Sequence, residues 1–102
     1  MKTLYLVRHS KAEGRMTKKS DFKRKLIKQG KNDSLQVAER LKKQKIKPDL
    51  VITSPAPRAA ETTRIFAKQL KYKQKNIKSR KSLFRQTEHA LLDVVHEIDD
   101  RY

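Results

Sequence analysis

An imidazole and a guanidinium stand side by side at the end of an apolar run: Leu4, Tyr5, Leu6 and Val7 are followed by Arg8 and His9. Leu, Tyr and Val suit a buried strand, and open α/β sheets place their ligands at the carboxyl ends of strands. An arginine there holds a phosphoryl group through forked, charge-assisted hydrogen bonds. A neutral histidine ring nitrogen can attack phosphorus. A second arginine, Arg58, follows another short apolar run, Leu50, Val51, Ile52 and Thr53, across the breakers Ser54 and Pro55. Pro57 fits a first helical turn, where its missing N–H costs nothing. Arg58 then falls on that turn, close to backbone N–H groups that favour an anion. Two strand ends, each presenting an arginine and one presenting a histidine, suit a phosphate pocket.

The elements that must position these groups alternate. A strand is expected over residues 3–7, then a polar, basic loop over 11–23 carried across the site. A helix is expected over 28–45, with Ser34, Val37, Ala38 and Leu41 on one face at i, i+3, i+4 and i+7, stopped by Pro48. The second strand feeds a helix whose core face is Ala59, Thr63, Phe66, Ala67 and Leu70. A weak third strand is expected within residues 76–80. A last helix over 87–98 carries Leu91, Val94, Val95 and Ile98 at helical spacing. Strands alternating with helices predict an α/β fold with a parallel sheet and helices on its faces.

Taken together, the motifs resemble the histidine phosphatase superfamily, the phosphoglycerate-mutase-like enzymes, and within it the SixA-type phosphohistidine phosphatases. Leu6-Val7-Arg8-His9 is similar to the family's Arg-His-Gly signature, with Ser10 where Gly is usual. Ser54-Pro55-Ala56-Pro57-Arg58-Ala59 is similar to its Ser-Pro-x-x-Arg-Ala turn. Between them, Asp21-Phe22-Lys23-Arg24-Lys25-Leu26 resembles its Asp-x-x-Arg-Pro-Leu segment, and Gly30 falls where its Thr-x-x-Gly segment has Gly, with Ile27 in place of Thr. The likeness covers residues 3–71 by motif and 72–98 by pattern. It implies a three-layer αβα, phosphoglycerate-mutase-like fold.

In that family a second catalytic histidine follows a fourth strand, lying between the first and second, after the helix expected here over 87–98. The sequence ends at Tyr102, where that strand is expected to begin. Residues 1–102 are therefore read as a single, incomplete domain lacking the C-terminal part of the sheet. The strands over 3–7 and 50–53 must then pair directly or leave unpaired edges, which recruit other chains. Each buried backbone group left without a partner costs about 1–3 kcal/mol, so low stability or dependence on a donated strand is expected. His89 and His96 follow no apolar strand and are expected as solvated or partly packed helix residues.

The implied chemistry is phosphoryl hydrolysis through a phosphohistidine on His9, with Arg8, Arg24 and Arg58 holding the phosphoryl oxygens and with no metal or cofactor, since guanidinium groups supply the positive field. Mutase-type members place a carboxylate general acid after the third strand. Here Ser82-Leu83-Phe84-Arg85-Gln86 carries no acid before Glu88, which favours the SixA-like branch. The expected substrates are a phosphorylated protein (phosphohistidine) or a small phosphomonoester, with weak or no activity from this short chain. Glu13 is expected to pair with nearby Lys or Arg side chains, and Glu61 to be a solvated residue supporting Arg58 or Lys68. The alternative is a non-catalytic basic module that keeps the fold's pocket and binds phosphate or polyanions.

Composition fits this reading. The 102 residues carry 27 Lys and Arg against 11 Asp and Glu, a formal charge of +16, and only 35% of them are hydrophobic, so the core must be thin. The absence of cysteine excludes disulfides and Cys-ligated zinc. No apolar run nears the length of a membrane span and no signal peptide is recognised, so a cytoplasmic location and no membrane partner are expected. Residues 68–85 hold eight Lys or Arg and no acid. Lysine spread over nearly every helix reads as solvated faces, with nucleic acid attracted only non-specifically through charge.

Overall fold

A computed structural model describes residues 3–9, 12–13, 24–85 and 88–98. The expected loop falls almost wholly outside them, as do Ser10 and the Asp21-Phe22-Lys23 part of the second motif. Three helices are described: α1 (Lys28–Lys43), α2 (Pro57–Gln69) and α3 (Glu88–Glu97). Two short strands, β1 (Ile52–Thr53) and β2 (Lys78–Ser79), pair in parallel with Ile52 opposite Lys78 and Thr53 opposite Ser79. The ladder bonds run from Lys78 N–H to Val51 O at 3.0 Å and from Arg80 N–H to Thr53 O at 2.9 Å. The weak strand expected within 76–80 is thus β2. Two 3₁₀ turns, Gln74–Asn76 and Lys81–Arg85, flank it.

α1 packs on α2, α2 on β1, and α3 on the second 3₁₀ turn. α1 buries small residues, Gly30, Ser34 and Ala38, on one face, and such residues let a neighbouring helix approach closely. Val37 departs from expectation: it is exposed, because it lies about 60° around the helix from Ser34, at the margin of the buried stripe. On α2 the expected Phe66 and Ala67 are buried, joined by Thr62 and Arg58. On α3 Val94 is buried as expected, together with Ala90. The buried apolar set is Leu26, Ala38, Ala56, Phe66, Ala67, Ala90 and Val94. Most of it is alanine, and its largest side chains are Phe66 and Leu26.

Both long helices close with a left-handed residue. After α1, Lys45 has φ 60, Ile46 N–H donates to Leu41 O at 3.2 Å and Lys45 N–H to Lys42 O at 2.9 Å. After α2, Lys71 has φ 58, Tyr72 N–H donates to Ala67 O at 2.8 Å and Lys71 N–H to Lys68 O at 3.3 Å. These are Schellman closures, which satisfy the last carbonyls of each helix. They correct the expected end of the first helix: the turn at Lys45 stops it before Pro48 is reached.

The first expected strand is the principal correction. Residues 3–7 belong to neither strand of the sheet, and Leu4, Tyr5, Leu6 and Val7 are 52–66% exposed. Their apolar, β-favouring character is real, but a strand exists only through a neighbour's N–H and C=O groups. Of the two outcomes the sequence allowed, direct pairing with residues 50–53 or open edges, the described residues show open edges.

Candidate active site

Arg58 is the most enclosed of the expected site residues. Pro57 occupies the first turn of α2, as its fixed φ predicts. The turn leading into it is tied by Ala56 N–H donating to Ser54 Oγ at 3.2 Å. Helical bonding begins with Ala60 N–H to Ala56 O at 2.9 Å. Arg58 comes next, only 2% exposed. Its guanidinium carbon lies 5.6 Å from the centroid of the Phe84 ring, within cation–π range. Thr62 Oγ1 donates back to Arg58 O at 2.8 Å. The first turn of α2 contains no acidic residue and no side-chain cap, so no carboxylate of that turn neutralises the positive end of the helix that carries Arg58.

Arg24 is also buried. Its Nη1 donates to Glu13 O at 2.9 Å, Glu13 N–H donates to Lys25 O at 2.8 Å, and Lys25 N–H donates to Glu13 Oε1 at 3.0 Å. An antiparallel bridge joins Ala12 to Leu26. Residues 12–13 and 24–26 therefore form a small clasp that fixes the Arg24 backbone. Glu13 serves this clasp through its main chain and through its carboxylate, which accepts from the backbone N–H of Lys25.

Glu61 ties together the two segments that carry the buried arginines. It sits one turn beyond Arg58, half-buried. Its Oε1 accepts a long hydrogen bond from Leu26 N–H at 3.4 Å, while Oε2 lies 3.7 Å from Lys31 Nζ. The carboxylate so links α2 to the segment carrying Arg24 and to the first turn of α1. This corrects the expectation of a solvated residue supporting Arg58 or Lys68. No sequence pattern marks the contact, because Leu26 and Glu61 are 35 residues apart.

At the end of β1, Thr63 Oγ1 lies 3.0 Å from Thr53 Oγ1 and 2.8 Å from Ala59 O. With one proton it donates to one of these at a time. Thr53 Oγ1 itself donates to Ser54 O at 2.8 Å. This network holds α2 against the strand that delivers the turn to Arg58. His9 is half-buried and Arg8 exposed, both at the end of the 3–9 segment, which belongs to no helix or strand. His89 and His96 are exposed on α3, the solvated positions expected of them. Phe84 is the site residue that sequence reasoning missed. Its one signal was an aromatic side chain in the acid-free stretch after the third strand. Among the described residues, no group of three or more His, Cys, Asp or Glu is arranged to hold a metal ion, and no helix is long and apolar enough to cross a membrane.

Comparison with known proteins agrees with this architecture. The crystal structure of a protein designated phosphohistidine phosphatase SixA, from Agrobacterium tumefaciens, superposes with a TM-score of 0.79 at 22% sequence identity, over 89% of this chain and 58% of that one. The likeness shows the fold: α/β, three-layered and phosphoglycerate-mutase-like, with this chain spanning little more than half of the matched structure. No curated protein matches the sequence. Residues 4–83, which hold all three motifs and both strands, match the model of the histidine phosphatase superfamily (branch 1), and the chain belongs to that superfamily.

Proposed function

We propose that this chain carries the phosphoryl-binding half of a SixA-type phosphohydrolase, with His9 as its nucleophile. In this reading a ring nitrogen of His9 attacks the phosphorus in line, a P–N bond forms as the bond to the leaving group breaks, and water then hydrolyses the phosphohistidine to release phosphate. Arg58 and Arg24 hold the phosphoryl oxygens from the buried side, and Arg8 approaches from the exposed side. The substrate is a protein phosphohistidine or a small phosphomonoester. A phosphorylated imidazole leaves without strong acid help, in keeping with the acid-free stretch around Phe84. The site is proposed to work without metal or cofactor, and in the cytoplasm.

The observation that carries the reading is the placing of Arg58. A guanidinium is costly to bury, yet this one is held on the first turn of α2, stacked on Phe84, where helix and side chain together favour an anion. His89 and His96, exposed on α3, do not supply the second histidine that the resemblance calls for, so turnover by these 102 residues alone is expected to be slow. No observation favours the non-catalytic module over this reading.

The test is phosphoryl transfer from a reactive small donor such as phosphoramidate. Incorporated phosphate is expected to be acid-labile, stable in alkali, and absent from His9→Ala. Arg58→Ala is expected to reduce labelling by about 10²–10³-fold, the usual loss when a transition-state donor is removed. A chain that is folded by circular dichroism and takes no label at His9 sinks the proposal.

A further inference from the structure

An open cleft of about 770 Å³ runs between α2 and residues 74–79, reaching the end of β1 at Thr53 and Ser54. It is built by the left-handed turn at Lys71, which folds the chain back along the helix. Gln74 Nε2 then pins the returning segment by donating to Arg64 O at 3.1 Å. Half-buried Ile65 and Ile77 supply its apolar lining, while Arg64 and Lys68, one turn apart on α2, are exposed at its edge. Beyond that edge Lys71, Lys73, Lys75, Lys78 and Lys81 are all exposed, and the sequence has no Asp or Glu from Thr62 to Thr87. Of the acids on neighbouring elements, Glu61 pairs with Lys31 and Glu97 with Arg80 at 3.6 Å, while Asp33 and Glu39 on α1 and Glu88 and Asp93 on α3 fall outside this stretch of sequence.

We propose that this cleft docks an acidic segment of a partner protein, with an apolar side chain seated between Ile65 and Ile77 and carboxylates against Arg64 and Lys68. Charge complementarity selects the occupant. A surface with only cations over this span favours an acidic partner and steers its approach. A second copy is disfavoured, because each chain carries +16. Nucleic acid satisfies the charges but leaves the apolar lining unused, and no aromatic side chain lines the cleft for base stacking. An acidic polypeptide with an apolar anchor uses both features. The cleft opens at the same strand end that leads to Arg58, so a docked partner lies beside the candidate active site. The docking itself does not depend on phosphoryl chemistry.

The test is fluorescence anisotropy at about 0.15 M salt, where diffuse surface attraction is largely screened. The probe is a labelled peptide alternating Glu and Leu. An all-Glu peptide of equal charge and a short DNA duplex are the comparisons. The paired reversal Arg64→Glu with Lys68→Glu is expected to weaken the Glu–Leu peptide at least about tenfold. The control reversal Lys42→Glu with Lys43→Glu, at exposed positions on α1 with the same change in net charge, is expected to stay within about twofold. Ile77→Ser is expected to erase the preference for Glu–Leu over all-Glu. Equal losses from both reversals, no peptide binding by the folded wild type, or tighter binding of the duplex with the same dependence on Arg64 and Lys68 would each overturn the proposal. Labelling at His9 is read separately, so failure of the docking and failure of the phosphatase reading are distinguishable.

Discussion

Residues 4–7 and residues 50–53 are the two segments most alike in the sequence: four residues each, apolar and strand-favouring, each followed within a few positions by an arginine. In the folded chain they meet opposite fates. Ile52–Thr53 pairs with Lys78–Ser79, lies against α2 and is tied to it by Thr53 and Thr63. Leu4, Tyr5, Leu6 and Val7 lie outside the sheet and are more than half exposed. The difference is not in propensity. β-propensity measures fitness for a pleated, half-buried surface, and only the second segment has that surface among the described residues. A run of exposed apolar side chains is also a template for other strands, so the same four residues that announce the site are the chain's main liability for self-association.

Substitutions on the two sides of this contrast differ most at Phe66. It is the largest side chain of a core built mainly of alanine, and Phe66→Ala is expected to cost about 3–5 kcal/mol, against a typical total of about 5–15 kcal/mol. Urea unfolding followed by circular dichroism measures it. A loss below about 1 kcal/mol would mean that the α1–α2–β1 unit is not where the stability lies.

A smaller change of opposite sign is expected at the turn that closes α2. Lys71→Gly relieves a left-handed backbone worth about 1–2 kcal/mol for a residue with a Cβ. Glycine's extra freedom in the unfolded chain takes back about 0.4–1 kcal/mol. The net expectation is a gain of about 0.5–1 kcal/mol in the same unfolding assay. Any loss would show that the lysine side chain itself stabilises the turn.

The smallest effect is expected at the exposed segment. Leu6→Gln is expected to move stability by no more than about 0.5 kcal/mol, as for surface positions generally, while reducing concentration-dependent light scattering. A cost above about 1 kcal/mol would mean that residues 4–7 are covered in solution, and the contrast between the two segments would collapse.

Much of the fold was legible because much of it is local. The Ser34 and Ala38 positions on the buried face of α1, Pro57 opening α2, Val94 on the buried face of α3 and the turn to Arg58 all follow from spacing within a few residues, as helices do. The end of α1 was misread at Pro48 because a Schellman turn can close on lysine, at a cost that sequence patterns do not show. The site was legible in its charges and not in its connections. Arg24 and Arg58 stand out by motif, but the clasp that fixes Arg24 and the bond from Leu26 to Glu61 join residues 11 to 35 positions apart.

The sequence by itself determined the motif residues Arg8, His9, Arg24 and Arg58, their order along the chain and the helix that carries Arg58, because each depends on neighbours within one or two turns. Tertiary structure alone decided that Arg58 is buried against Phe84, that Glu61 bridges two arginine-bearing segments, and that the run before His9 is left outside the sheet. Each of these depends on a surface supplied from elsewhere in the chain. Backbone hydrogen bonds in a sheet and burial of a charged side chain are properties of pairs, and a sequence pattern describes only one member of each.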